Sequence, residues 1–201
     1  MKTHVAWMGL AASALMATSA FAQQDPSYFQ GLHVGVGAED RIVSVVSGFG
    51  GLTGKVSKES NAGVGVLSAS YDQLVAPHWL VGGEVAEGLG GQRFTATASN
   101  GALTTKAQSD TVVSARAGYL FTPKTLIFGR VGYQWQDVSR DATVTNVSDT
   151  YWNKDARGAL VGVGVEQALD SHIGVRGEFQ SATLDHGLRD DTFRASANYK
   201  F

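Results

Sequence analysis

The chain has 201 residues, with 16 basic and 18 acidic side chains and a formal net charge of −2, so it lacks the basic field that nucleic-acid binding needs. It contains no cysteine, which excludes disulfides and cysteine–metal sites. The length predicts one domain. Glycine is abundant and proline is scarce, a composition that suits a tightly curved sheet.

The N-terminus has the organisation of a secretory signal peptide. A charged start precedes an apolar stretch at 5–16 and the small-residue cleavage sequence Ala20-Phe21-Ala22. A transmembrane anchor is the alternative, but the apolar run is short for the ~20 residues that a spanning helix needs. We therefore predict a signal peptide at 1–22 and one mature domain at 23–201.

Eight segments of the mature sequence alternate between apolar and polar residues, which is the period of a β-strand with two different faces. Most have about the 9–11 residues that a tilted membrane-spanning strand needs. They lie at 28–39, 62–73, 79–88, 108–121, 126–136, 156–167, 172–184 and 191–201. No apolar run long enough for a spanning helix follows the signal peptide, so entry into a membrane would require a closed barrel.

The connections between these segments alternate in length. The short ones lie at 74–78, 122–125 and 168–171, and the longer ones at 40–61, 89–107, 137–155 and 185–190. Short periplasmic turns and longer external loops are typical of outer-membrane barrels, whereas a soluble up-and-down barrel has no need of this asymmetry. The sequence therefore predicts an all-β fold, a closed eight-stranded antiparallel up-and-down transmembrane β-barrel.

The aromatic residues fall into two groups near the ends of the predicted strands. Beside the short turns and the C-terminus lie Tyr71, Trp79, Tyr119, Phe121, Tyr199 and Phe201. Toward the longer loops lie Tyr133, Trp135, Tyr151, Trp152 and Phe193. Two aromatic girdles at the two membrane interfaces explain this division better than the core of a soluble protein does.

Charged residues share one face of several predicted strands. An arginine that faces lipid near the membrane midplane costs ~2–4 kcal/mol, so four of them would cost as much as the whole ~5–15 kcal/mol stability of a domain. These faces must therefore point inward. The predicted interior charge network consists of Glu84, Arg116, Arg130, Glu166, Arg176, Glu178 and Arg194.

Two questions about the interior stay open at this point. In the second segment, Val64 and Val66 favour one parity, while Leu67, Ala69 and Tyr71 favour the other, and a bulge is possible. The charged interior can form either a packed, salt-bridged core or a gated polar pore. An eight-stranded barrel is only wide enough to be filled by side chains, which favours the packed core.

Five short motifs stand in an order and spacing typical of one family. They are Ser70-Tyr71-Asp72-Gln73, Val81-Gly82-Gly83-Glu84, Ala115-Arg116-Ala117-Gly118-Tyr119, Val163-Gly164-Val165-Glu166 and the end at Tyr199-Lys200-Phe201. Over most of the mature chain this arrangement resembles the small eight-stranded bacterial outer-membrane β-barrel family, which includes the OmpA transmembrane domain, OmpX-like proteins and porin-like surface antigens.

The resemblance implies a location in the bacterial cell outer membrane and the barrel-assembly machinery as a partner. It also implies that the alternating terminal strand is the assembly signal, through Phe193, Tyr199 and Phe201. The sequence ends at the barrel, so tethering to the cell wall by a peptidoglycan-binding domain is not expected.

Other chemistry has little support in the sequence. The scattered histidines His33, His78, His172 and His186 lack the spacing of a metal site, and we expect no metal and no cofactor. Some barrels of this class modify lipid A with a His-x-Ser arrangement, which is absent here. We therefore expect no catalytic residues and no enzymatic activity.

The sequence predicts a structural and surface protein that presents external loops for interaction and supports the integrity of the envelope. The candidate surface contact is Tyr151 and Trp152, at the end of the loop 137–155. A small-solute pore and a lipid A-modifying enzyme are the alternative functions. The expected partners are outer-membrane lipid, lipopolysaccharide and a host or surface ligand, with no nucleic acid, and we expect a monomer.

Overall fold

Antiparallel pairing between neighbouring strands organises the chain in the computed structural model, which describes residues 28–45, 64–90, 92–98, 101–144, 147–185 and 188–201. Within these ranges the strands are β1 Gly31–Val45, β2 Val64–Ala76, β3 Trp79–Leu89, β4 Gln92–Ala98, β5 Gly101–Thr122, β6 Thr125–Val144, β7 Val147–Ala168, β8 Ile173–Leu184 and β9 Leu188–Lys200. No helix in the described ranges is long and apolar enough to cross a membrane.

The strands close into a barrel because β1 pairs with both β2 and β9. β3 and β4 pair one after the other with the same strand, β5, so together they take one place in the ring. The result is a closed eight-stranded antiparallel barrel, which confirms the predicted fold. We call the end that carries the short turns and Phe201 the turn end, and the opposite end the hairpin end.

Side chains alternate between the two faces of the barrel wall. On β8, Arg176, Glu178 and Gln180 are buried, while Val175 and Phe179 are exposed. The same alternation on the other strands produces an apolar outer band, which includes Val34, Val81, Val113, Ile127, Val131, Val161 and Val163. An apolar exterior around a polar interior is the pattern of a transmembrane barrel and the reverse of a soluble one.

The second strand has a single parity. Val64 and Val66 are buried and Leu67 is exposed, so the odd-numbered positions of β2 face outward. Pairing with β1 is continuous along this stretch, which leaves no bulge in it. The register shift between β2 and β3 lies between Leu74 and Ala76, at the turn.

Two expected external loops are strands instead. The segment 89–107 contains the hairpin of β4 and β5, and the segment 137–155 belongs to the hairpin of β6 and β7. These segments are rich in threonine and valine, β-branched residues that favour strand pairing beyond the apolar outer band. The predicted strand ends were placed where the alternation of apolar residues stops, and that alternation stops with the band. Likewise, β1 extends to Val45 into the expected loop 40–61, of which residues 46–61 lie outside the described ranges.

Two apolar clusters lie in the interior, one on each side of its middle. The cluster at the turn end consists of Tyr28, Phe29, Leu80, Leu120, Leu126, Phe128 and Ala168. The cluster toward the hairpin end consists of Val66, Ala86, Val112, Ala156, Leu160, Ala182 and Leu184. Tyr28 and Phe29 reach the interior because Gly31 has a φ of 119°, a left-handed conformation that favours glycine and turns the chain inward. The first strand therefore begins at Gly31 and not at the predicted residue 28.

Candidate functional site in the barrel interior

Seven charged residues proposed for the interior lie inside the barrel. Each is at most 4% exposed, and they come from six different strands that all turn their even-numbered residues inward. They are Glu84, Arg116, Arg130, Glu166, Arg176, Glu178 and Arg194. The structure brings them together into one network with additional residues that the sequence analysis did not identify.

Glu166 is the acceptor at the centre of the network near the turn end. Arg116 and Arg176 donate to its Oε2 atom over 2.9 and 3.0 Å. The Tyr28 hydroxyl and the Asn198 amide each donate to its Oε1 atom over 3.1 Å. Both carboxylate oxygens are therefore occupied, and the hydrogen bonds join the N-terminal segment to β5, β7, β8 and β9.

A second group of ion pairs fills the middle of the barrel. Arg130 lies 2.9 Å from Glu84 and 3.1 Å from Glu178 without hydrogen-bond geometry, so its interaction with both is one of charge alone. Arg194 lies 3.3 and 3.4 Å from the same two carboxylates. Arg176 also contacts Glu84, which connects this group to the one around Glu166.

The Phe128 ring lies among three of these arginines. The guanidinium carbons of Arg116, Arg130 and Arg176 are 5.3, 5.9 and 5.6 Å from its centroid. This geometry allows cation–π attraction and keeps the like charges apart with an apolar spacer. The ring also belongs to the apolar cluster at the turn end, so it is the boundary between that cluster and the charged middle.

Toward the hairpin end, Arg41 lies among three carboxylates, one of which, Glu39, also accepts from Arg194 over 2.6 Å. Arg41 donates to Glu39 from Nε over 2.9 Å, contacts Asp110, and lies 3.9 Å from Asp190. The Gln134 amide donates to Asp190 over 3.1 Å and to Asp110 over 3.4 Å. This part of the interior is rich in carboxylates relative to its cations.

Arg41 and Asp190 were not predicted because they lie in the connections expected at 40–61 and 185–190, whereas Glu39 and Asp110 lie at the ends of predicted segments whose inward face was not followed that far. Asp110 and Asp190 share the even-numbered inward faces of Arg116 and Arg194, and Glu39 and Arg41 lie on the inward odd face of β1. Following the inward parity to the end of each segment would have identified Glu39 and Asp110, and continuing it by one or two residues would have identified Arg41 and Asp190. The contribution of Tyr28 had no such signal, because that residue precedes β1.

The predicted terminal signal lies on the outer face of β9. Phe193, Tyr199 and Phe201 are 56%, 48% and 70% exposed. The Phe201 backbone N–H donates to the Leu32 carbonyl over 3.0 Å, which ties the last residue to β1 across the closing seam. All three rings therefore lie on the surface that another protein can contact.

The predicted surface contact, Tyr151 and Trp152, is not in a loop. Both residues belong to β7, where their backbones are paired with Asp141 and Arg140 of β6. The described residues contain no group of three or more His, Cys, Asp or Glu side chains that could hold a metal ion.

Comparisons with known proteins agree with this architecture. A family model described as an outer membrane protein beta-barrel domain matches residues 8–201. The structure of Ail from Yersinia pestis, in complex with the heparin analogue sucrose octasulfate, is similar with a TM-score of 0.59 and 13% sequence identity, covering 86% of this chain and 99% of Ail. OprG from Pseudomonas aeruginosa is similar with a TM-score of 0.52 and 11% identity, covering 86% of this chain and 96% of OprG. At such identities the likeness shows the fold alone, and a search of curated proteins found no match.

Proposed function

This chain belongs to the family of outer-membrane protein beta-barrel domains and lies in the bacterial outer membrane, and we propose that it is a non-enzymatic surface protein that binds a partner through its hairpin end and supports the envelope through its barrel. In this membrane the short turns face the periplasm and the hairpin end faces outward. The external hairpins support the binding of a partner, the interior supports the structural role, and the turns bear on the absence of enzymatic activity.

The hairpin end carries the observation on which the proposal depends. β4, β5, β6 and β7 continue beyond the apolar outer band as a four-stranded sheet. Within the described ranges, β4 pairs only with β5, and residues 147–157 of β7 pair only with β6. Among the residues that the structure describes, both edges of this external sheet therefore present backbone groups without a strand partner. Such edges can pair with an extended segment of another chain.

The sequence of the external sheet favours a polypeptide partner over a polyanion. Residues 92–107 and 137–157 contain five basic and four acidic residues, so they produce no strong field of either sign. The Ail structure contains a heparin analogue, and a partner of that kind would need a clearer excess of positive charge. Backbone pairing at an edge needs no net charge, and side chains next to the edge would supply specificity.

The interior argues against a small-solute pore. Arginines and carboxylates fill the middle of the barrel, and apolar clusters lie on both sides of them. Moving a solute through this interior would require breaking buried ion pairs, and leaving a buried charge without its partner costs about 3–5 kcal/mol. The same ion pairs support a role in holding the barrel closed and rigid.

One pair of residues tests the enzymatic alternative. The Ser171 hydroxyl lies 2.8 Å from His172 Nδ1, as a nucleophile and its base would. However, the nearby carboxylate of Asp170 accepts hydrogen bonds from the backbone N–H groups of His172 and Ile173, which hold its pKa below the usual range, and it does not orient the imidazole. The pair is exposed in a turn, at the end opposite to the outer leaflet where lipid A lies. This arrangement favours a non-enzymatic protein.

The proposal is tested by separating the sheet from the barrel. A variant with residues 92–107 and 138–154 replaced by tight turns should assemble normally, keep the detergent resistance of the wild-type strain, and lose adhesion of cells to protein-coated surfaces. A full deletion strain should lose both properties. Adhesion by the trimmed variant at the wild-type level would contradict the proposed role of the sheet, and stable single-channel conductance of the purified wild type would favour the pore.

A further inference from the structure

Three aromatic rings form a cluster on the outer wall at the turn end, between β3 and β5. The His78 ring stacks on Tyr119 with centroids 5.7 Å apart and an interplanar angle of 23°. Trp79 meets the same tyrosine edge-on, at 5.3 Å and 70°. We call this group the β3–β5 ring cluster.

The same arrangement occurs a second time between β8 and β9. The His172 ring stacks on Tyr199 at 5.9 Å and 24°, and Phe201 meets that tyrosine edge-on at 5.2 Å and 80°. We call this group the β8–β9 ring cluster. The two seams are four strands apart in either direction around the ring, so the clusters lie on opposite sides of the barrel.

Both clusters lie at the level of the lipid headgroups. Trp79, Tyr119, Tyr199 and Phe201 are between 42% and 70% exposed and mark the turn-end limit of the apolar outer band. Aromatic residues at this level position a barrel in the membrane through their apolar rings. Each cluster adds an imidazole, which is held in place by the tyrosine and gives the apolar surface a polar edge.

The β8–β9 ring cluster borders a cavity of about 440 Å³. The Ser171 hydroxyl is 2.8 Å from His172 Nδ1, and when the hydroxyl donates to this atom the neutral imidazole carries its proton on Nε2. The Nε2–H group is then a donor directed away from Ser171. Polar donors and one cation, the Lys200 ammonium, line the cavity together with apolar groups, and the other lining residues include Gln30, Tyr71, Ser171, His172 and Phe201.

We propose that the two ring clusters bind the phosphodiester headgroups of phospholipids in the periplasmic leaflet, with the site beside His172 the tighter of the two. The anionic phosphate oxygens accept hydrogen bonds from imidazole N–H groups, and at the β8–β9 cluster the Lys200 ammonium adds a positive charge beside the cavity. The acyl chains continue along the apolar outer band. Two sites on opposite sides of the barrel hold its axis against tilting in the membrane.

The proposal is tested with the mature protein in a neutral maltoside detergent, by native mass spectrometry with added phosphatidylglycerol. The wild type should retain two lipids, His172→Ala should bind its tighter lipid about tenfold more weakly, and His78→Ala/His172→Ala should retain none above background. Thr122→Ala is the matched control, because Thr122 is also exposed at the turn end but belongs to neither cluster. A shift in gel mobility on boiling verifies that each variant forms the barrel.

Three outcomes would overturn the proposal. Equal retention of phosphatidylglycerol by the wild type and the double variant would show that the histidines do not bind it. Equal retention of diacylglycerol, which lacks the headgroup, would show that the clusters bind lipid only through their apolar surface. Displacement of the lipid by inorganic phosphate alone would indicate a site for a free anion. These outcomes do not depend on the external sheet, so the proposed surface function can fail or succeed separately.

Discussion

The two halves of the barrel interior are built differently, although both are polar. Near the turn end, the carboxylate of Glu166 is shared by Arg116 and Arg176 and receives two further hydrogen bonds, and Arg116 also donates to the buried Asp72. Near the hairpin end three carboxylates, those of Glu39, Asp110 and Asp190, surround Arg41, and of the three only Glu39 is also paired with Arg194. The turn-end half is thus saturated with donors, while the hairpin-end half has carboxylates in excess.

The N-terminal segment accounts for much of this difference. Tyr28 brings a hydroxyl donor to Glu166, and Phe29, which is fully buried, completes the apolar cluster at the turn end. At the hairpin end the glycine with a positive φ is Gly90, at 144°, and it lies between β3 and β4. The same residue types therefore form a fully hydrogen-bonded group that holds the strands together in one half, and leave carboxylates in mutual repulsion in the other.

The largest expected effect is that of removing the carboxylate at the centre of the turn-end half. Glu166→Leu leaves two buried arginines with a partner missing, and breaking a buried pair in this way costs about 3–5 kcal/mol. The free energy of unfolding in urea, measured in detergent, should fall by this amount. The control is Lys124→Leu, in an exposed turn, which should have little effect. Equal midpoints for the two variants would mean that the interior is hydrated and would favour the pore.

Removing the apolar seal should have the next largest effect. Phe29→Ala leaves a cavity among Leu80, Leu126 and Phe128, and truncating a buried phenylalanine costs about 3–5 kcal/mol, with partial collapse lowering the value toward 3. Thermal unfolding followed by circular dichroism measures the loss. Phe121→Ala, on the outer face and 70% exposed, is the matched control and should cost clearly less. Similar losses for both would show that Phe29 is not a seal.

A matched pair of substitutions tests the comparison of the two halves directly. Asp72→Asn removes the charge from a carboxylate to which Arg116 donates over 2.7 Å, and a hydrogen bond to a charged group contributes about 1.5–3 kcal/mol. Asp110→Asn removes one of three carboxylates around Arg41, which relieves repulsion and offsets the weakened ion pair. The first should destabilise the barrel, and the second should change the free energy of unfolding by less than about 1 kcal/mol. Equal losses would show that the two halves are balanced alike.

The alternation of residue types made most of the barrel predictable. Because lipid outside and packed charges inside require opposite faces, the eight segments, their antiparallel order and the inward arginines follow from the sequence. The sequence could not specify which cation pairs with which carboxylate, since Glu84 and Arg176 are 92 residues apart and meet only after closure. Nor could it specify the inward turn at Gly31 or the external sheet, whose strands continue where the apolar signal has ended.

The smallest expected effect on stability concerns the outer face of the turn end, where Phe201 lies. Phe201 is 70% exposed, and its contacts are an edge-on ring contact to Tyr199 and one backbone hydrogen bond to Leu32. Truncating a buried phenylalanine costs about 3–5 kcal/mol, so a residue with this exposure should cost clearly less. Deleting Phe201 should therefore leave refolding in detergent nearly unchanged, as judged by the mobility shift on boiling.

The same deletion has a different expected result in cells, because we propose that the outer face of β9 is read by the assembly machinery. Amounts of the protein in the outer membrane should fall severalfold although the purified protein still refolds. A matched variant, Phe121→Ala, has the same exposure at the same end but lies on β5, and it should assemble normally. Normal outer-membrane levels after deletion of Phe201 would contradict the assembly role, and failed refolding in detergent would make the residue part of the structural clamp. The expected split assigns stability to the inner face of the turn end and assembly to its outer face, since closure of the barrel encloses the inner face and leaves the outer face accessible.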